Sequence, residues 1–182
     1  MAKKIYSGSA DMTGLHCINN AKGKWQLLWG CREVQDEESE EVSYEYNEVV
    51  FDHKPTLKEV KDVILGDIDA ETDEKILCGY EWTILHGPDE GKTVKVWLSD
   101  ENQRNFKAMH DAAVMYPQEA DWPIEYKVSE TEDKTPINEY FDNIQELAAF
   151  YLGGIDYINR CLKEGWQRKK NIDWRPYEQS LS

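Results

Sequence analysis

Paired cysteines are missing from this sequence. The four present (Cys17, Cys31, Cys78 and Cys161) are scattered along 182 residues. A chain of that length can bury a core without staples, so they read as free thiols of a reducing compartment. Long apolar runs are missing too. No stretch approaches the ~18 consecutive apolar residues that a membrane-spanning helix needs. No apolar segment follows the basic Met1-Ala2-Lys3-Lys4, so a secretory signal is not expected. Basic residues are in short supply, with 21 Lys and Arg against 36 Asp and Glu and a net charge of -15. That balance argues against direct binding to bare nucleic acid or an anionic bilayer, because both need a basic surface to replace counterions. It leaves open a basic protein partner, or a protein that imitates DNA.

Aromatic residues are plentiful at 12%, within 40% apolar residues overall. Disorder usually combines high charge with few aromatics, so a folded body is expected, as one core or one core with a small appendage. Trp25 to Val34 and Ser43 to Phe51 are rich in aromatic and β-branched residues and partly alternate, as strands with one covered face do. Between them Gln35-Asp36-Glu37-Glu38-Ser39-Glu40-Glu41 repels itself and suits a solvated hairpin tip. Residues 1–24 read as an irregular lead-in.

His53-Lys54-Pro55 marks a boundary, and Thr56-Leu57-Lys58-Glu59 has the form of a capping box. A helix follows on Leu57, Val60, Val63 and Ile64, with Gly66 as its expected stop. A second short helix is expected from Ala70 to Cys78. Tyr80 to Ile84 and Val94 to Leu98 flank turn-forming His86-Gly87-Pro88-Asp89-Glu90-Gly91-Lys92, the best hairpin in the chain. Ser99 is an N-cap with Asp100 and Glu101 behind it. The stripe of that helix is Phe106, Met109, His110 and Ala113, and Pro117 ends it. Ile124 to Val128 and Ile137 to Phe141 form two more short strands. The last helix runs from Ile144 to Lys169 on Ile144, Leu147, Ala148, Tyr151, Leu152, Ile155, Ile158, Leu162 and Trp166. Its Gly153-Gly154 pair implies a kink or a closely packed neighbour.

The expected class is α+β: a small antiparallel sheet built from hairpins, packed on the serine-capped helix and the long C-terminal helix, with an N-terminal β-hairpin appendage. Residues 1–53 form the hairpin segment with its acidic loop, 54–170 the main domain and 171–182 a tail.

Motifs for chemistry are absent. Asp67 to Asp73 alternates carboxylates like a calcium loop, but Thr72 stands where the EF-hand needs glycine, and Cys78 replaces the bidentate glutamate. Capping by Asp69 is the better account. His16, Cys17, Cys31 and Cys78 lack the paired spacing of structural zinc. No Gly-x-Ser-x-Gly occurs, and His16, His53, His86 and His110 stand in unrelated contexts. His110 reads as a packed residue. Gly87 to Lys92 lacks phosphate-loop spacing. Carboxylates are so numerous that no pair stands out for glycoside hydrolysis. The sequence therefore gives no catalytic residue, no cofactor and no metal ligand, and it reads as a non-enzyme.

Seven tryptophans and ten tyrosines remain. Trp82, Trp97 and Phe106 are expected in the core. Trp25, Trp29, Tyr44 and Tyr46 belong to a hairpin too small to bury them alone, so they must pack on the main body, a second copy or a partner. Trp174 and Tyr177 are candidate anchors in the tail. These six are the candidate partner-binding residues.

Four segments in order also carry a resemblance. They are Lys54-Pro55-Thr56-Leu57-Lys58-Glu59, then Ile76-Leu77-Cys78-Gly79-Tyr80-Glu81-Trp82, then Val96-Trp97-Leu98-Ser99-Asp100-Glu101-Asn102-Gln103-Arg104-Asn105, then a long closing helix. Over residues 54–170 this resembles a domain of unknown function found in phage and prophage tail-associated proteins. The insert from His86 to Lys92 is longer than the tight turn of that pattern, and the N-terminal hairpin lies outside it. The family brings no catalytic residue across. The resemblance implies a tail-region structural or assembly protein that contacts other phage proteins or itself, located in the host cytoplasm during assembly as a chaperone, or also in the virion as a component of it. An acidic DNA mimic that inhibits a host DNA-binding protein is the alternative. A small hydrolase with a non-obvious carboxylate pair is the third.

Overall fold

In the computed structural model, residues 4–8, 11–35 and 42–181 are described, and the chain is α+β. It divides into two units, Met1–Ile68 with Lys169–Ser182 and Asp69–Arg168. The division thus falls within two helices, not at His53 or Lys170, and the C-terminal residues belong with the N-terminal ones.

In the first unit, the strands expected around the acidic run are β3 (Lys24–Gln35) and β4 (Val42–Phe51). They pair antiparallel with Trp25 opposite Phe51, Leu27 opposite Val49 and Trp29 opposite Asn47. The tip residues 36–41 lie outside the described residues. The supposed lead-in supplies two further strands, β1 (Lys4–Gly8) and β2 (Gly14–Asn19), giving a four-stranded antiparallel sheet in the order β1-β4-β3-β2. The hairpin is therefore the middle of a sheet, with neighbours on both sides.

The capping box forms as read. Thr56 N donates to Glu59 Oε2 at 2.7 Å, and Glu59 N donates to Thr56 Oγ1 at 3.2 Å. The helix it starts, α1 (Leu57–Leu77), runs on through Gly66. This corrects the expected stop, the second helix at Ala70 and the cap at Asp69. A Cβ at Gly66 would meet nothing within 4 Å, so its hydrogen atom reflects exposure and signals no chain reversal. Val60, Ile64 and Ile68 project from α1 into a core with Leu15, Leu27, Trp29, Val49, Phe51 and Tyr177. Tyr177 lies on α4 (Arg175–Leu181), a short helix where only a tail was expected.

In the second unit, Gly79 ends α1 with a φ of +82°. A Cβ there would fall 2.0 Å from the Val96 carbonyl oxygen, so only glycine fits. The next strands, β5 (Tyr80–Thr83) and β6 (Thr93–Val96), form the expected hairpin. Ser99 caps α2 (Asp100–Met115) by accepting from Asn102 N. A second hairpin, β7 (Ile124–Glu130) with β8 (Pro136–Phe141), precedes α3 (Ile144–Lys170).

Phe150 of α3 sits at the centre of this core. Its ring centroid lies 5.0 Å from Phe106, 5.1 Å from Trp82 and 5.2 Å from Phe141. Tyr80 donates its hydroxyl to the Phe150 carbonyl at 2.8 Å. Its ring would lie 3.3 Å from a Cβ added at Gly153 and 3.5 Å from one at Gly154, so the glycine pair marks a close neighbour. One turn after Cys161, Gly165 faces Thr72, whose Oγ1 would lie 2.6 Å from an added Cβ. The inward face of α3 there belongs to Gly165, and Trp166, expected on the apolar stripe, is 65% exposed instead.

Candidate functional site

Helices α2 and α3 of the second unit present apolar residues that their own core does not cover completely. Leu98, Phe106, Gly154, Ile155 and Ile158 floor a groove of about 330 Å³ with Tyr151 at its side, and Asp100, Gln103, Arg104 and Lys107 line its rim. Two of the four rim groups are engaged. Gln103 donates through Nε2 to the Leu98 carbonyl at 2.7 Å, and Lys107 pairs with Asp111. Arg104 is exposed and has no carboxylate within ion-pair distance among the described residues. Next to the groove, His110 stacks on Tyr151 with centroids 4.7 Å apart, the packed position expected of it.

Further apolar surface continues along the same helices. Leu152 is 53% exposed, and Val114, Met115 and Tyr116 at the end of α2 are each more than half exposed. Trp97 corrects the expectation of a core residue. It stands between Val96 and Leu98, both fully buried, so strand-like alternation turns it outward to 65% exposure. It borders a second cleft of about 400 Å³ with Cys78, Lys95, Asn102 and Lys127.

The six aromatics proposed as partner contacts all belong to the first unit, and most of their surface is used there. Trp29, Tyr46 and Tyr177 are buried. Trp29 donates through Nε1 to Asp67 at 2.8 Å, and the Tyr46 hydroxyl accepts from Met12 N at 2.8 Å. Burial pushes the Tyr177 phenol up to about 12. These three have no ring face left for a partner, because the four-stranded sheet, α1 and α4 make a core that a lone hairpin could not. Trp25, Tyr44 and Trp174 are half-buried. Lys54 lies over the Trp25 ring at 5.4 Å and Lys61 over the Trp174 ring at 5.1 Å.

Sequence reasoning missed one buried carboxylate. Glu139 is fully buried on β8, between Ile137 and Phe141 on the inward-facing register. Its Oε2 accepts from Trp82 Nε1 at 2.6 Å and Leu85 N at 2.8 Å. Its Oε1 accepts from His86 N at 3.1 Å and Tyr140 N at 3.0 Å. These bonds fix the chain leaving β5 against β8. The available signal was a charged residue in phase with two apolar ones. Just beyond it, His86 reaches Glu146, which in turn accepts from Asp142 N at 2.8 Å and Asn143 Nδ2 at 2.8 Å at the start of α3. Desolvation pulls the His86 imidazole down, but the Glu146 bond and the charges of Asp142, Glu146 and Glu139 together raise it above its ordinary value.

The chain matches no protein-family model, no curated protein and no solved structure.

Proposed function

We propose that this chain is a structural or assembly protein of the tail region of a phage or prophage and works by contact with other proteins. The observation that carries this reading is the groove between α2 and α3, apolar at its floor, with Arg104, unpaired among the described residues, at its rim. Aromatic and arginine anchors around a desolvated pocket are the usual centre of a protein interface. Charge complementarity selects the occupant: a segment of a tail-region protein that places apolar side chains on Ile155 and Ile158 and a carboxylate on Arg104. The order of features over residues 54–170 supports the phage-tail assignment.

The test is photo-crosslinking from position 103 in cells producing the phage or induced prophage, followed by affinity measurement with the partner so identified. The expected product is a tail or baseplate protein, with binding weakened about 30-fold by R104E combined with I155D, the ~2 kcal/mol of a hot spot. Crosslinks that reach no tail-region protein, or affinity unchanged by both substitutions, would overturn the reading. Competition with DNA for a nuclease or repressor at low salt would replace it by DNA mimicry.

A further inference from the structure

His86 Nε2 stands 3.2 Å from Glu146 Oε2 and 3.6 Å from Asp142 Oδ2. One donor atom from each of these side chains lies within 4.8 Å of the other two, the one such convergence of His, Cys, Asp and Glu among the described residues. From this geometry we propose that His86, Asp142 and Glu146 form a binding site for a divalent transition-metal ion, with Zn²⁺ as the reference ion.

Distance is the first argument. An ion with bonds of about 2.0–2.2 Å to nitrogen and oxygen holds its tetrahedral donors roughly 3.3 Å apart. The two imidazole–carboxylate separations already bracket that value, and rotation of the exposed Asp142 side chain closes the third edge. Donor chemistry is the second. One imidazole and two carboxylates suit zinc and its neighbours better than calcium or magnesium, which favour all-oxygen sites.

Charge is the third and independent argument. Glu139 lies wholly buried behind the site, and its four partners are neutral N–H donors. No lysine or arginine pairs with Glu139, Asp142 or Glu146 among the described residues. Three carboxylates therefore surround one imidazole, and a divalent cation is the natural complement to them.

The donors are also held in place, as outer hydrogen bonds hold metal ligands. Glu139 fixes the backbone at Leu85 and His86, while Asp142 N and Asn143 Nδ2 orient the Glu146 carboxylate. Three protein donors leave a fourth position for water.

The experiment titrates Zn²⁺ alone into the full chain and follows the imidazole nitrogens by NMR alongside the melting temperature. The expected result is a saturable shift of His86 Nε2, with His16, His53 and His110 unmoved. Free Zn²⁺ at 100 times Kd should raise Tm by about 5–10 °C. Ca²⁺ and Mg²⁺ should produce neither effect. The paired substitution D142N with E146Q should abolish both. Glutamine serves at a capping position as glutamate does, so this variant reads ligation and not loss of the helix start. A His86 resonance that zinc leaves in place would overturn the site, as would an unchanged response in the D142N/E146Q variant. Heat released at Cys17, Cys31 or Cys78 without the His86 shift would count against it equally.

Discussion

Each oxygen of Glu139 accepts two hydrogen bonds, so the carboxylate uses four acceptor positions where an amide oxygen has two. Replacing it with glutamine turns one oxygen into a donor group that faces two N–H groups. Either Trp82 Nε1 and Leu85 N or His86 N and Tyr140 N then lose their acceptor in a buried place. Orphaned buried donors cost about 1–3 kcal/mol each, so E139Q should destabilise the second unit by about 2–6 kcal/mol. Urea unfolding should show a lower midpoint at an unchanged slope, and a loss below ~0.5 kcal/mol would contradict the four-donor account.

Among the elements, α1 shows what local chemistry can decide. The Glu59 carboxyl is pulled down to about 2 by the amide and hydroxyl of Thr56, then by His53. A carboxyl lowered on folding contributes stability above its unfolded value of 4.5, and that contribution is lost as pH falls through about 2. The first turn of α1 should therefore hold at pH 5 and fray progressively below 4.5. Amide shifts of Glu59 and Val60 would follow the change, and E59Q should remove its pH dependence.

The capping box, the Ser99 cap and the 80–96 hairpin were legible in the sequence because their determinants lie within a few residues of one another. Strands β1 and β2 were not. The pairing of β1 with β4 is long-range, from Lys4 to Glu48. The link between β2 and β3 is short, but its turn signal, Asn19-Asn20 with the left-handed Gly23, reads in the sequence as part of an irregular lead-in. Gly66 misled because glycine at an exposed helical position looks the same in sequence as glycine at a stop. The groove was half legible. The stripes of α2 and α3 were visible, but which of their residues face each other is set by Phe150 and its aromatic neighbours. The His86 cluster was invisible, since its members are brought together across 60 residues of chain.

At the scale of the whole molecule, the first unit is built from both ends of the sequence. Tyr177 is 3% exposed and shares a core with Leu27, Phe51 and Val60. Truncating such a ring usually costs about 3–5 kcal/mol, and Y177A should lower the stability of the first unit by that amount. Tryptophan fluorescence during urea unfolding should report it through Trp29 and Trp174. A value below ~1 kcal/mol would mean that the sheet and α1 suffice without α4.

That same discontinuity has a consequence for biosynthesis. On a ribosome adding ~5–20 residues per second, the sheet strands emerge on the order of ten seconds before the segment that completes their core. Throughout that interval the nascent sheet displays Leu15, Leu27 and Phe51 without their final covering, a natural target for a holdase. Synthesis of α4, and not emergence of the strands, is then the event that commits this half of the protein to its native state.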